Sequence, residues 1–256
     1  MIHREDRDSV AVLRLGHGKA NALDAELVTA LADEIDAIRA AEEPSAVVLT
    51  GTGSIFSAGV DLYRFLDGGE EYLDRFFQAL IHCFHRLFVF PRPLVAAVNG
   101  HAIAGGAVFA AAADYRIMSD GKGRIGMPEL RVGIPFPVMA IEILRFAAST
   151  QHLQELVYLG RAYTAEEAFR AGLIDEIAEP HALLDRALEV AANLGAMPAA
   201  RFGLTKLQLR APSLDRVERQ APRMDLEVLS GWKEPETHAA IRAYVEETLQ
   251  SRPTNR

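Results

Sequence analysis

The chain is poor in the features that staple, anchor or export a protein. Its 256 residues include one cysteine, Cys83, so no disulfide can form within the chain, and a reducing setting suits it. No run of about 18 apolar residues occurs, so no membrane span is expected. The first ten residues, MIHREDRDSV, are charged and lack the apolar core of a signal peptide, and the last five, RPTNR, form no peroxisomal address or lipidation signal. A cytoplasmic location is the expectation. Basic residues are outnumbered, 27 Lys+Arg against 35 Asp+Glu, giving a net charge of −8 and excluding nucleic acid as a default partner. Low-complexity segments and clear internal repeats are absent. What remains is an ordinary globular composition, 50% hydrophobic and 24% charged, suited to one large domain with or without a smaller appendage.

Strand and helix patterns alternate over most of the chain. Residues 9–15, SVAVLRL, alternate like a strand, and glycines at 16 and 18 break it. Asp24 can cap a helix carrying Leu27, Ala30, Leu31, Ile35 and Ile38 at helical spacing. Residues 46–50, AVVLT, read as a buried strand, followed by a glycine loop and SIFSAGVDL at 54–62. A long helix is expected over 72–89. His82 and His85 share one of its faces, but nothing at ligand spacing joins them, so they read as ordinary helix residues. Residues 173–177 read as a short strand, after a capping-box helix opened by Thr164 and Glu167. From residue 181 onward only helices are expected, broken near 195–198, at Pro212 and near 231–235. Leu226, Leu229, Ile241, Tyr244, Val245 and Leu249 give this tail an apolar stripe that must dock on the body or on a partner subunit.

The central stretch, residues 98–114, reads VNGHAIAGGAVFAAAAD. A buried strand at 94–98 leads into it, Asn99-Gly100 turns the chain, and Gly105-Gly106 open an Ala-rich helix. Backbone N–H groups at a helix start have no partner within the helix and favour an anion. No phosphate-loop lysine follows, and the G-x-G-x-x-G spacing is missing. A developing oxyanion is the alternative to phosphate. Two further segments carry chemistry: SIFSAGVDL, with Gly59 in an exposed loop, and RIGMPELRVGIPF at 124–136, with one carboxylate, Glu129, between apolar neighbours.

These three segments, together with KANAL at 19–23, DYRI at 114–117 and TAEEAFRAGLIDEI at 164–177, resemble the crotonase superfamily of enoyl-CoA hydratases and isomerases. The resemblance spans nearly the whole chain. It implies an α/β fold: a spiral of ββα units over residues 1–195, with a C-terminal helical region at 196–256 that mediates trimers or dimers of trimers. It implies an acyl-CoA substrate, a coenzyme A thioester, with no separate cofactor and no metal. By motif match the thioester oxygen falls to the N–H groups of Val60 and Gly105, and coenzyme A contacts fall to the backbone of Ala20, Ala22 and Ala58. Asp61 reads as a loop-fixing residue.

The acid–base groups decide the reaction. Hydratases of this superfamily typically use two glutamates around one water. Glu129 occupies one of those positions; the other is Val108, which can neither accept nor donate a proton. One carboxylate still suffices to move a proton between two carbons. That pattern is closest to the Δ3,Δ2-enoyl-CoA isomerases, with Val108 and Phe136 as pocket residues and Glu129 as the base. Glu142, a conceivable surrogate, reads as a solvated helix residue, and the role of His101 is open. The segment 68–72 and Phe136 are expected to shape the acyl pocket. The competing readings are a hydratase with an unrecognised second group, and a CoA-binding or RNA-binding relative without catalysis. The acidic balance speaks against RNA and the presence of Glu129 against lost activity.

Overall fold

A computed structural model describes the backbone of residues 1–250; residues 251–256 and the side chains of residues 248–250, Leu249 of the expected stripe among them, lie outside the described part. Ten strands form two sheets. The larger has the order β1(Ile2–Arg7), β2(Val10–Leu15), β3(Ala46–Thr50), β5(Leu94–Val98), β7(Tyr115–Ser119), β10(Glu176–Ala178). The smaller has the order β4(Ile55–Ser57), β6(His101–Ile103), β8(Ile125–Gly126), β9(Ala162–Tyr163). All pairings are parallel except β1–β2 and β8–β9.

Three successive turns of chain each place one strand in each sheet and then one or two helices. β3 and β4 precede α2(Leu62–Asp67) and α3(Gly69–Phe88). β5 and β6 precede α4(Gly105–Ala111), and β7 and β8 precede α5(Val138–Ala147) and α6(Thr150–Tyr158). This is the expected spiral of ββα units. The central strands β3 and β5 are short, rich in Val and Ala and buried on both faces, as parallel strands covered by helices require. α1(Ala25–Ala40) packs against α3 on one side, and α8(Leu183–Gly195) covers the other face. The capping box at Thr164 and Glu167 opens α7(Ala165–Arg170) as expected, with both reciprocal bonds formed.

Four features go beyond or against the sequence reading. First, the charged N-terminus, for which the sequence pattern predicts no element, forms β1, an edge strand whose residues 3–6 are exposed. An edge strand needs only backbone pairing on one side, and its charges discourage further pairing, so no apolar alternation marks it. Second, the strand expected at 173–177 lies later, at Glu176–Ala178, where it pairs with β7. Third, the C-terminal region is not broken at Pro212. α9(Ala199–Lys233) runs through Pro212 and Pro222. A proline inside a helix forfeits a backbone bond at a cost of about 3 kcal/mol. Tertiary anchors on both sides offset it: Lys206 and Arg210 bind Asp114 before Pro212, and Arg216 binds Glu142 after it.

Fourth, Glu142 is not solvated. It is 2% exposed on α5 and takes bonds from Arg145 at 3.0 Å and Arg216 at 2.7 Å. Its local pattern looks polar and external, but α9 crosses that face. α10(Pro235–Tyr244) then folds back onto α2, and Trp232, Ile241 and Val245 join the same core as the spiral strands.

Candidate active site

Parallel β4, β6 and β8 end side by side, and the three chemistry-bearing segments leave from those ends. Val60 follows the end of β4, Gly105 the end of β6 and Glu129 the end of β8. Loops at the carboxyl ends of parallel strands are the general location of α/β ligand sites. Adjacency in the small sheet therefore collects residues 60, 105 and 129 although they are far apart in sequence.

Two glycines let the first two loops touch. Gly59 has φ +84°, and a Cβ there would sit 2.5 Å from Ala104 Cβ and 2.8 Å from Ile103 O. A Cβ on Gly106 would sit 2.6 Å from Ser57 O. Only glycine permits this approach. Ala104 itself adopts φ 54°, ψ −129°, a conformation that L-residues rarely take and that costs about 1–3 kcal/mol. Its carbonyl turns inward to accept from Ala107 and Val108, starting α4, while its N–H donates to Gly126 O of β8. The N–H of Gly105 is then the first orphan donor of the helix.

Val60 is set by the strip at residues 20–23. Leu23 donates to Gly59 O at 2.7 Å and accepts from Asp61 N at 2.9 Å. In such a parallel bridge the middle residue points its own N–H away, here away from Leu23. No backbone acceptor for the N–H of Val60 or of Gly105 is found among the described residues. Asn21, buried with φ 48°, fixes the strip by donating to Ile55 O and Phe56 O. Asp24 caps α1 and pairs with His17 and Arg64. Burial opposes its charge, but the Leu27 N–H, His17 and Arg64 together hold its pKa below the ordinary value. Asp61 caps α2 through Arg64 N.

Pro128 precedes a 3-10 turn, Glu129–Val132, that points Glu129 inward. The residue is 8% exposed, and its Oε2 has no hydrogen-bond partner. Burial among apolar groups pushes its pKa up to about 8, against a smaller opposing pull from its own backbone N–H. A buried carboxyl left without a partner is rare in structural positions and common at functional ones.

All three groups face one cavity of about 660 Å³, its open mouth included. Of the residues expected from sequence, Ala58, Val60, Gly105, Val108, Glu129 and Phe136 line it. Ala58 is exposed at the mouth, while Val108 is buried inside. Ala20 and Ala22 are half-buried on the neighbouring strip and do not line the cavity; Ala20 O accepts from Ala58 N at 3.0 Å. The segment 68–72, expected to shape the pocket, borders a separate surface depression instead. His101 lies on β6 outside the cavity wall. Among the described residues no group of His, Cys, Asp or Glu could hold a metal, and no helix is long and apolar enough to cross a membrane.

Leu80, Phe84, Trp232 and Tyr244 also line the cavity, and no motif marked them as cavity residues. The first two belong to an ordinary apolar stripe of α3. The last two arrive from about 100 residues beyond Glu129 by the fold-back of α9 and α10, which no local motif reports.

Comparison with known proteins places this architecture. The family model for enoyl-CoA hydratase/isomerase matches residues 5–251. The chain belongs to that family, within the crotonase superfamily, and is an enzyme of acyl-CoA chemistry. It is 35% identical over 210 residues to a Thermus thermophilus protein provisionally named an enoyl-CoA hydratase, covering 80% of this chain and 82% of that one. It is 27% identical over 222 residues to the mitochondrial enoyl-CoA delta isomerase 1 of Rattus norvegicus, covering 86% and 77%. The structure of human mitochondrial Δ3,Δ2-enoyl-CoA isomerase superposes with a TM-score of 0.92 at 25% identity, covering 97% of this chain and 98% of that one.

Proposed function

We propose that the protein is a Δ3,Δ2-enoyl-CoA isomerase in which Glu129 alone carries the proton. The observation that supports this most is the composition of the cavity wall. Among the described residues of the wall Glu129 is the one carboxyl group, and position 108 is an apolar valine. Glu142 is withdrawn from consideration by its two arginines and by its place outside the wall.

The chemistry balances without water. The Glu129 carboxylate takes a proton from C2 of a 3-enoyl thioester. The electrons of that C–H bond move onto the thioester oxygen, giving a dienolate. The Val60 and Gly105 N–H groups donate to that oxygen, each such donor being worth about 3 kcal/mol. The partial positive charge at the start of α4 adds to Gly105. Glu129, now a carboxylic acid, returns the proton at C4, and the double bond settles between C2 and C3. A raised pKa suits a group that must act as base and then as acid. Ala58 at the mouth, with Ala20 and Ala22 behind it, is the proposed coenzyme A side. The exposed leucines 204, 207, 209 and 226 on α9 support assembly as a trimer or a dimer of trimers.

Hydration would need a second group to hold water. Among the described residues of the wall Tyr244 is the one other with an ionisable proton, and it is half-buried. Replacing Glu129 by Gln tests the reading. Turnover of a 3-enoyl-CoA should fall by about 10³-fold, while affinity for a saturated acyl-CoA stays within a few-fold. A variant that still isomerises at the wild-type rate would remove Glu129 from the mechanism.

A further inference from the structure

The cavity has a depth order that its wall residues reveal. Ala58 is exposed, Val60 and Leu62 are half-buried, and Leu80, Phe84, Val108, Ala140 and Trp232 are all at most 3% exposed. The first group marks the mouth and the second the interior. Apart from Glu129 and the Tyr244 hydroxyl, the free interior side chains offer an acyl group only carbon to touch, beside the Gly105 N–H.

Trp232 differs from the other interior residues in how firmly it is held. Its Nε1–H donates to Pro135 O at 2.9 Å. Its ring packs edge-on against Phe77 at 4.9 Å and against Phe65 at 5.4 Å. Its backbone carbonyl bonds the His238 ring at 3.0 Å, and Thr237 Oγ1 donates to Gly231 O at 2.8 Å, closing the turn between α9 and α10. Pro135, its acceptor, sits in the same 133–137 loop as Phe136, another wall residue. A large, flat side chain fixed at both edges cannot swing aside for a longer ligand.

We propose that Trp232, brought back by the chain's own C-terminal helices, is the inner end wall of the acyl pocket and sets the longest unsubstituted hydrocarbon chain the enzyme accepts. The proposal rests on the acyl-CoA reading of this cavity but not on the isomerase step. A polar or charged acyl terminus would meet no partner at this wall and should be rejected.

Trp232 is the single tryptophan of the chain, so its emission reports on this wall alone. The test titrates the wild-type protein with free coenzyme A and with acetyl-, hexanoyl-, decanoyl- and palmitoyl-CoA, following emission and, in parallel, heat of binding. These saturated ligands need no turnover, so failure of the isomerase reading leaves the result intact. Ligands too short to reach the wall should bind without altering emission. Above one chain length the emission should shift saturably, and beyond it affinity should fall by about tenfold per added step. Trp232→Leu should move that limit to longer chains, and Ala140→Leu, which fills the interior from α5, should move it to shorter ones. Two results would overturn the proposal: acyl-CoAs of every length binding with unchanged emission, or both variants weakening all lengths equally, as a purely structural role would.

Discussion

Glu129 is buried in a place that opposes its charge, and that opposition has measurable consequences. Its pKa in the folded protein is about 8, against an ordinary 4.5. Below pH 4.5 the carboxyl is protonated in both folded and unfolded chains and costs nothing. Between 4.5 and 8 the unfolded chain gives up a proton that the folded chain keeps, so stability declines as pH rises through that window. Above about 8 the penalty is constant. Glu129→Gln should therefore leave the melting temperature unchanged near pH 4 and raise it near pH 8.5, by the equivalent of about 2–4 kcal/mol. Calorimetry across this range checks it; equal melting temperatures at pH 8.5 would mean the site is wetter than its burial implies. The same titration governs activity. In the wild type kcat/KM should rise as pH is raised through about 8 and then level off, because only the ionised form removes the C2 proton.

At the scale of elements, α9 is fastened to the spiral by buried charge. Asp114, at the start of β7, receives Lys206 at 2.6 Å and Arg210 at 2.8 Å, and also caps the β5 edge through Leu94 N. Burial pulls Lys206 down to about 8 and Arg210 below its ordinary value even with Asp114 beside them. Removing the carboxylate would leave two cations buried without their partner. Asp114→Ala should cost about 3–5 kcal/mol in urea unfolding; a loss under 1 kcal/mol would mean α9 is held by its apolar contacts alone. This attachment was not legible in the sequence. Asp114 could be read as part of the DYRI segment, but its partners lie 92 and 96 residues on. Glu142 was misread for the same reason, its second arginine being 74 residues away. The local signals did carry the site loops: the glycines at 59, 105 and 106, and the Pro128-Glu129 turn, mark steric and conformational needs that the backbone itself imposes.

The whole molecule depends on a C-terminal region that folds back onto the middle of the chain, α9 onto α3 and α5 and α10 onto α2. Alternating strand and helix patterns foretold repeated strand-and-helix units, because each is specified locally, and the family resemblance implied their winding into a spiral. The patterns could not foretell that α9 and α10 complete the cavity, since that depends on packing between helices far apart in the chain. The leucines left exposed on α9 carry the prediction about assembly. Sedimentation at micromolar concentration should give a particle of three or six times the 28.0 kDa chain mass. A monomer at that concentration would show that these leucines have another use. Replacing Leu204 and Leu207 together by Glu should dissociate the assembly while leaving the fold intact, because both side chains are exposed within one chain.

One measurement reaches the central claim most directly. The purified protein is incubated with a 3-enoyl-CoA and, separately, with a 2-enoyl-CoA in ¹⁸O-labelled water, and the thioesters are separated and weighed. Rapid conversion of the 3-enoyl to the 2-enoyl species, with little 3-hydroxyacyl-CoA and little label from either substrate, is the outcome predicted for a cavity with one carboxyl group and Val108 facing it. Efficient formation of labelled 3-hydroxyacyl-CoA from the 2-enoyl-CoA would contradict it.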